Sequence, residues 1–289
     1  MFSTAPLSAQ IGAEISDLDL AGPPDDAIIR RLLHVFYAHS VIVVRDQQLT
    51  LDHFLQVGRW FGTPKPHFLD HLRLPGYDSI LLLSNLHEQG RPIGIYEGAA
   101  FWHTDVAYED PPNTGTVVYA LQVPASGGRT WFANQYAAYD ALPAPMKRRI
   151  DGLRVVHHYG NRADMDETSR TSAERLTDAQ KRRVTSVVMP LVRHHPITGR
   201  RALYGVAGSS FHIAGLPDDE ATDLLNELAA HATRPEFITC HEYRRGDVAA
   251  WDTFATLHKA ELLDPVHDRT DPMARLLYRI SLTGHSPQC

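Results

Sequence analysis

The sequence predicts a mainly β fold with flanking helices, most simply an antiparallel sandwich or barrel. Many short segments are rich in β-branched and aromatic residues and are separated by turn signals. Few of these segments are joined by a clear crossover helix, which argues against a parallel, doubly wound sheet. No internal repeat, low-complexity tract or linker divides the 289 residues, so we expect a single domain over residues 1–289.

The N-terminal part alternates helix and strand. A Pro-Pro-Asp-Asp start signal at 23–26 precedes apolar residues at helical spacing over 29–36, which predicts an amphipathic helix. Residues 41–44 predict a short buried strand. Thr50 can cap a second helix, whose apolar face lies within 54–61.

The central part is richer in strands. We predict strands at 79–84, at 114–122, from 131 onward and at 153–158. Residues 136–146, interrupted by two prolines, predict two short helical pieces.

In the C-terminal part, residues 161–181 are polar and poor in apolar periodicity, and we expect an excursion with at most a short helix. Residues 187–192 and 202–204 flank a turn signal at 196–199 and predict a hairpin. The remaining predicted elements are a helix that begins at Pro217 and strands at 248–251 and 275–283.

The segment 87–100 holds three glycines without a sustained period. A segment of this length beside a functional motif is typical of a lid. A solvated surface loop explains the same composition, and the sequence leaves both interpretations open.

The composition excludes several classes of protein. A hydrophobic fraction of 43%, a charged fraction of 21% and a net charge of -6 are ordinary for a globular protein. With no cluster of Lys and Arg, general nucleic-acid binding is not expected, although a local basic pocket for a small anion is compatible with the sequence.

Only two cysteines are present, which excludes a disulfide framework and a cysteine-based zinc site. Residues 1–14 lack the features of a secretory signal, and no apolar run approaches the roughly 18 residues of a membrane span. We therefore expect a cytoplasmic protein that does not bind membranes, either a monomer or a homo-oligomer.

His103 and Asp105 are the first candidate functional residues. Two residues apart in an extended strand, their side chains would project to the same side. With His258 as a third ligand they would form the two-histidine, one-carboxylate face of non-heme Fe(II) oxygenases, which leaves coordination positions open for chemistry. Because the chain has 17 histidines, a hydrogen-bonded pair without a metal is the alternative.

Arg275 and Arg279 share one face of the last predicted strand. Buried guanidinium groups are costly unless each meets an anion. Two explanations remain open at this point. The arginines could pair with Asp or Glu at the rim of the sheet, or they could bind an anionic cosubstrate and an anionic substrate.

Several motifs occur in an order that resembles one known family, the taurine dioxygenase / 2,4-dichlorophenoxyacetate dioxygenase (TauD/TfdA) group of Fe(II)- and 2-oxoglutarate-dependent dioxygenases. The segments that carry the resemblance are 12–14, 19–20, 43–47, 61–62, 102–105, 127–130, 195–199, 245–247, 251–252 and His258. The resemblance covers most of the chain, and it implies one TauD/TfdA-like domain with a double-stranded β-helix, also called a jelly roll or cupin-like fold.

The resemblance also implies residue roles. His103, Asp105 and His258 match the iron ligands of the family. Thr130 and Arg275 match the residues that hold the distal carboxylate of 2-oxoglutarate. Arg279 matches the arginine that binds the acidic group of the substrate, and His67 matches a histidine that contacts the substrate.

The implied reaction consumes O2 and 2-oxoglutarate, releases succinate and CO2, and hydroxylates a small acidic substrate. Hydroxylation beside a heteroatom would cleave a C–O or C–S bond. A carboxylate at position 105 disfavours halogenation, since halogenating relatives have Gly or Ala there. Desaturation or oxidative decarboxylation at the same iron site, or a jelly roll that binds without catalysis, are the alternatives.

The chain departs from the family pattern near the substrate. Thr253 and Phe254 stand where the family commonly has Asn-Arg, and Tyr278 replaces a histidine between the two arginines. Residues 99–101 are Ala-Ala-Phe where taurine-type enzymes have polar residues. These changes predict a substrate pocket that is more apolar than one fitted to taurine.

Overall fold

The computed structural model describes residues 2–23, 25–67, 70–96, 100–159 and 185–286, together with Asp178 and Gln288. Strands and helices are numbered here in chain order. A large antiparallel sheet with one parallel pair at its edge organises the fold. Its strands, in spatial order, are β1 (Ser3–Pro6), β2 (Ala13–Ser16), β3 (Val41–Val44), β17 (Val248–Asp252), β9 (Gly115–Gln122), β19 (Leu276–Thr283), β6 (Tyr77–Ser84) and β5 (Arg73–Leu74), and β4 (Thr63–Lys65) pairs with β19.

Four smaller sheets complete the strand set of the described residues. One consists of β16 (Ile238–His241), β10 (Thr130–Asn134) and β18 (Thr256–Ala260), and another of β12 (Val187–Pro190), β11 (Arg154–His157) and β15 (Ser210–Ile213). Two-stranded pairs are formed by β13 (Val192–His194) with β14 (Arg201–Leu203) and by β7 (His87–Glu88) with β8 (Arg91–Pro92).

The described helices are α1 (Asp26–His39), α2 (Leu51–Phe61), α3 (Gln135–Ala141), α4 (Ala144–Ile150) and α5 (Asp218–Ala232), with short 3-10 turns at Asp70–Leu72 and Pro235–Phe237. The side chain of Asp25 caps α1, and the hydroxyl of Thr50 accepts a hydrogen bond from the backbone N–H of His53 at the start of α2. These caps satisfy N–H groups that a helix leaves free at its first turn.

The large sheet is buried on both faces, which explains why its central strands are almost entirely apolar. Ile42 and Val44 of β3 pack against α1 and α2, whereas Val41 and Val43 pack with Phe132 of β10 in the space between the two sheets. A third core lies between α3–α5 and the strands beneath them. The mainly β architecture predicted from the sequence is confirmed as a sandwich with flanking helices.

One predicted strand is wrong in detail. Residues 187–192 do not form a single strand, because the chain bends at Leu191. β12 pairs with β11, and only β13 forms the predicted hairpin with β14. Leu191 is fully buried and donates its N–H to the carbonyl of Leu153 at 2.9 Å. Packing therefore determines where the strand is interrupted, and the continuous apolar run in the sequence does not indicate this position.

Two predicted segments lie partly outside the described residues. The excursion at 161–181 does so except for Asp178. The proposed lid over 87–100 is described apart from 97–99, and it begins with the β7–β8 hairpin. Ile95 exchanges backbone hydrogen bonds with the large sheet, so the described part is tied to the fold, and movement of this segment stays a prediction.

Candidate metal centre and its surroundings

Three side chains that can hold a metal ion converge between the large sheet and the sheet formed by β16, β10 and β18. One ligating atom from each of His103, Asp105 and His258 lies within 4.8 Å of the others, and among the described residues this is the one such group of three or more. Nε2 of His103 lies 3.4 Å from Oδ1 of Asp105, and Nε2 of His258 lies 3.6 Å from Oδ2. The predicted convergence of these residues is therefore present.

The backbone holds the two histidines face to face. His103 and His258 form an isolated antiparallel bridge, and each accepts the other's N–H at 3.0 Å. Their rings lie 4.2 Å apart between centroids. Gly208 packs so closely on this bridge that a Cβ there would lie 2.6 Å from Cβ of His103, which requires glycine at that position.

The local conformation differs from the extended strand predicted for residues 103–105. His103 makes a single bridge, and the chain turns at Asp105. The next residue, Val106, has a left-handed φ of 51°. A β-branched residue rarely adopts this conformation, so the turn is held by its surroundings. The two side chains still meet, with Nε2 of His103 3.4 Å from Oδ1 of Asp105.

The hydrogen bonds determine which nitrogen of His103 is available. Its Nδ1 lies 2.9 Å from the carbonyl oxygen of Phe101, which can only accept a hydrogen bond. Nδ1 therefore carries the proton, and Nε2 presents a lone pair toward Asp105. The same orientation by a backbone carbonyl is usual for histidines that bind metals.

His258 is also held neutral. Burial lowers the pKa of His258 to about 3, with His103 and Arg279 acting in the same direction and Asp105 opposing them. A neutral imidazole can donate a lone pair to a metal at any physiological pH. Nδ1 of His258 is buried and has no hydrogen-bond partner among the described residues.

Asp105 remains a carboxylate although it is buried. Burial by itself would raise the pKa of Asp105, but Arg279, His258 and His103 outweigh this effect and hold the pKa well below its usual value. Nη2 of Arg279 lies 2.8 Å from Oδ1, and the hydroxyl of Thr116 donates to Oδ2 at 2.7 Å. Both carboxylate oxygens thus have a fixed partner.

These three residues fit a ferrous ion. The distances of 3.4 and 3.6 Å between imidazole nitrogens and carboxylate oxygens exceed a good hydrogen bond, so the polar atoms face one another without satisfying one another. A cation among them would satisfy all three. Two neutral imidazoles and a carboxylate are the donor set of mononuclear non-heme iron sites.

Arg275, immediately before β19, occupies a second polar site. Nε of its guanidinium is buried, and burial lowers the pKa of Arg275. Nε has no hydrogen-bond partner among the described residues, and none of their carboxylates forms an ion pair with it. The nearby carboxylate of Glu261 is already bound by Arg129, whose Nε lies 2.9 Å from it.

A pair of hydroxyl groups, one of them close to this guanidinium, lies in the same part of the fold. Thr130 and Tyr243 are both buried, and their hydroxyl oxygens are 3.2 Å apart. Tyr243 also interacts electrostatically with Arg275. One hydroxyl proton bonds the other oxygen, so the pair has one further proton to donate to an anion bound at Arg275.

The two arginines therefore differ in the partners that the described residues provide. Arg279 pairs with a carboxylate of the protein, and that carboxylate belongs to the candidate metal centre. Arg275 has no such partner among the described residues. Tyr108, three positions after Asp105, lies within electrostatic range of Arg279, and burial raises its pKa well above the usual value.

His67 is the histidine predicted to contact the substrate. It lies between β4 and the 3-10 turn, and its carbonyl accepts a hydrogen bond from Nε of Arg73 at 2.7 Å. The two residues that follow it are outside the described ranges. Its contact with a substrate stays a prediction.

Four residues near the site were not identified from the sequence: Tyr108, Thr116, Gly208 and Tyr243. Tyr108 and Tyr243 lie within three residues of the recognised segments 102–105 and 245–247. Thr116, Gly208 and Tyr243 reach the site through contacts between elements far apart in the chain, which spacing does not reveal.

Comparison with known proteins agrees with this geometry. The family model described as "Taurine catabolism dioxygenase TauD, TfdA family" matches residues 3–280. Pentalenolactone F synthase from Streptomyces arenae is 31% identical over 269 residues, which cover 90% of each chain. The alpha-ketoglutarate-dependent 2,4-dichlorophenoxyacetate dioxygenase of Cupriavidus pinatubonensis is 31% identical over 271 residues, covering 90% of this chain and 92% of that protein.

Solved structures show the same relationship. A putative alpha-ketoglutarate-dependent taurine dioxygenase from Burkholderia xenovorans superposes with a TM-score of 0.78 at 31% identity, covering 98% of this chain and 93% of that one. AAD-2, in a complex with Mn(II) and N-oxalylglycine, gives a TM-score of 0.78 at 26% identity over 100% of both chains.

None of the described helices has the length and apolar character that crossing a membrane requires. The likeness to these structures confirms the predicted jelly-roll fold, and the family and its members confirm an enzyme that uses Fe(II), 2-oxoglutarate and O2. This chain therefore belongs to the taurine catabolism dioxygenase TauD, TfdA family of Fe(II)- and 2-oxoglutarate-dependent dioxygenases.

Proposed function

We propose that this dioxygenase hydroxylates a small organic acid whose anionic group binds Arg279. The observation that carries the proposal is the 2.8 Å contact between Nη2 of Arg279 and Oδ1 of Asp105. A guanidinium has five N–H donors, and this contact uses only part of that capacity. An acid bound by the remaining donors would lie directly beside the metal centre.

The proposed iron ligands are His103, Asp105 and His258. Their support is the convergence of two neutral imidazoles and one ionised carboxylate within 4.8 Å. When bound, Fe(II) supplies the activation of O2 that couples decarboxylation of 2-oxoglutarate to oxidation of the substrate. The protein's contribution is to hold donors, cosubstrate and substrate in register and to keep water out.

Arg275 and Thr130 are the proposed ligands of the distal carboxylate of 2-oxoglutarate. A buried guanidinium without a carboxylate partner is expensive, and a dicarboxylate cosubstrate provides the missing charge. Because guanidinium groups bind carboxylates in a bidentate manner, Arg275 would also fix the direction in which the rest of the cosubstrate points.

The substrate pocket is proposed to be largely apolar away from Arg279. Tyr108 and Tyr159 pack edge to face with ring centroids 5.0 Å apart, and Phe101 lies 5.2 Å from the ring of His103. An acid with an apolar or aromatic body fits these walls better than taurine does. The proposed contact of His67 with the substrate rests on the resemblance alone.

The names of the relatives define the range of acids to test. They include dioxygenases of 2,4-dichlorophenoxyacetate, of (S)-phenoxypropionate and of sulfate esters. Hydroxylation at a carbon bound to oxygen or sulfur gives an unstable product, so we propose that such a substrate would be cleaved. Pentalenolactone F synthase, which is similar to this chain to the same extent, favours a biosynthetic oxidation as the second candidate.

Succinate release tests the proposal directly. Carboxylic, sulfonic, phosphonic and N-acylated amino acids are supplied with Fe(II), 2-oxoglutarate and O2, each beside its neutral amide or ester. We expect at least one acid to accelerate succinate release and to shift the visible charge-transfer band of the anaerobic Fe(II)–2-oxoglutarate complex. Acceleration by neutral compounds alone would contradict the role of Arg279.

The remaining proposals concern partners and location. The net charge of -6 supports an enzyme that acts on a small molecule without binding nucleic acid. A cytoplasmic location, the absence of membrane binding and the choice between monomer and homo-oligomer stay predictions.

A further inference from the structure

A buried chain of hydrogen bonds leads away from the candidate metal centre. The hydroxyl of Thr116 on β9 donates to Oδ2 of Asp105 at 2.7 Å. Nδ2 of Asn113 donates to the hydroxyl oxygen of Thr116 at 2.9 Å. Thr116 and Asn113 are 0% and 2% exposed, so water does not compete for these bonds.

The direction of this chain is fixed by the fold. The backbone N–H of Leu282 donates to Oδ1 of Asn113 at 2.8 Å, which orients the amide so that its NH2 group faces Thr116. The hydroxyl of Thr116 then accepts from Asn113, and its own single proton is left for Asp105. Thr253 anchors the backbone behind it by donating to the carbonyl of Asn113 at 2.7 Å.

Thr116 and Arg279 hold the two oxygens of one carboxylate from different directions. Arg279 contacts Oδ1 at 2.8 Å and Thr116 bonds Oδ2 at 2.7 Å. Rotation of the carboxylate about its Cβ–Cγ bond would break both contacts. Because each carboxylate oxygen has two lone pairs, these donors leave lone pairs free to bind a cation between the histidines.

Packing alone does not explain a threonine here. The neighbouring residues of β9 are apolar, and valine has nearly the volume of threonine without a buried hydroxyl to satisfy. The hydroxyl at position 116, with an oriented amide behind it, is explained if its partner is a carboxylate that must stay ionised and keep one orientation. That partner is Asp105.

We infer that Thr116, oriented by Asn113, is a positioning residue that holds the Asp105 carboxylate in the geometry needed to bind the metal. This rests on the proposed ligand set. Thr116 touches neither the metal nor the substrate, and it acts through Asp105. Partners of this kind typically change metal affinity by about 10- to 100-fold when removed.

The test compares Thr116→Val with Thr116→Ser. Valine removes the hydroxyl and keeps the shape, whereas serine keeps the hydroxyl and loses the methyl group. Binding of Co(II) alone is measured anaerobically by competition with a chromogenic chelator. We expect the Kd for Co(II) to rise about 10- to 100-fold in Thr116→Val and to stay within about threefold of the wild type in Thr116→Ser.

Thr114→Val is the matched control, because the hydroxyl of Thr114 donates to the backbone carbonyl of Gly284 at 2.5 Å and contacts no candidate ligand. Its Kd for Co(II) should not change. Melting of the metal-free variants separates a structural role from positioning, since a merely structural threonine would lower the melting temperature and leave the Kd unaltered. If Thr116→Val does not fold, Thr116→Ala makes the same comparison.

A Kd for Co(II) in Thr116→Val within twofold of the wild type would overturn the inference. So would an equal weakening in Thr116→Ser, because a retained hydroxyl would then fail to preserve the binding of Co(II). His258→Ala distinguishes this failure from failure of the ligand assignment. If His258→Ala keeps full Co(II) affinity, the proposed ligands are wrong. An unchanged Kd in Thr116→Val would then reflect the wrong ligand assignment and would say nothing separate about Thr116.

Discussion

Arg279 lies within β19 and Arg275 immediately before its first residue, yet the surroundings of the two arginines differ. Arg279 is 2.8 Å from Asp105, so the protein itself supplies the anion that compensates its burial. Arg275 is half-buried, has a buried Nε without a partner among the described residues, and lies near Tyr243, whose hydroxyl bonds that of Thr130. The comparison teaches that one cation has its counter-ion within the protein, whereas the other has none among the described residues and is the one proposed to meet a cosubstrate.

The largest effect should come from removing the carboxylate that Arg279 shares with the metal centre. In Asp105→Ala we expect no substrate-stimulated succinate formation, because one of three protein bonds to iron is lost. His258→Ala should have the same result. An active Asp105→Ala enzyme, assayed by succinate release at saturating Fe(II), would refute the ligand assignment and make the contact with Arg279 an ordinary ion pair.

The next effect separates the two arginines kinetically. Truncating a buried, hydrogen-bonded charge partner typically costs about 2–5 kcal/mol, so Arg275→Ala should raise the KM for 2-oxoglutarate by about 30-fold or more. Arg279→Ala should mainly raise the KM for the acidic substrate. Steady-state kinetics with each compound varied in turn checks both, and an unchanged KM for 2-oxoglutarate in Arg275→Ala would argue against its proposed role.

Replacing each arginine should change the stability of the metal-free and cosubstrate-free protein differently. Arg279→Met leaves Asp105 buried without its cation, which should lower the free energy of unfolding by about 3–5 kcal/mol. Arg275→Met keeps an apolar stem and removes a charge that lacks a partner, so the free energy of unfolding should stay level or rise.

Urea unfolding of the metal-free proteins measures this pair of variants. Added 2-oxoglutarate should stabilise the wild type and should not stabilise Arg275→Met, because binding to the native state alone raises its stability. A loss of stability in Arg275→Met as large as that in Arg279→Met would remove the distinction between the two arginines.

A buried histidine shows a third way to tolerate burial, which is to stay uncharged. Burial lowers the pKa of His157 to about 4, and Arg193 acts in the same direction. Between about pH 6.5 and pH 4 the unfolded chain binds a proton that the folded chain does not, so stability falls by up to about 1.4 kcal/mol per pH unit as the pH decreases.

This smallest effect is checked by urea unfolding at pH 7 and pH 5. We expect His157→Gln to lose less stability between the two pH values than the wild type does. Equal losses would show that this histidine does not carry the pH dependence. Arg275→Met leaves His157 in place, so it should retain the slope of the wild type.

The sequence predicted those parts of the molecule that depend on local patterns. α1 and α2 follow from apolar spacing and from the capping residues Asp25 and Thr50. The last predicted strand, 275–283, is present as β19 from Leu276 onward, so Arg275 precedes it, and the face predicted to be shared by the two arginines stays a prediction. The donor set at His103, Asp105 and His258 followed from residue type and from the resemblance to a family.

What the sequence did not reveal depends on contacts between distant elements. Thr116 and Tyr243 are ordinary residues of a buried strand and a loop until the fold places them beside Asp105 and Thr130. The left-handed turn at Val106 has no glycine to indicate it, because the surrounding packing holds the turn. The bend at Leu191 interrupts a continuous apolar run for the same kind of reason.

The bridge between His103 and His258 joins two points that are far apart in the chain. During synthesis on the ribosome, the later histidine emerges only after most of the other strands have left the exit tunnel. We expect the nascent chain to have no complete ferrous site until β18 is in place. Such an order of assembly would keep a redox-active ion, and the oxidising species it generates with O2, away from a polypeptide that is still unfolded.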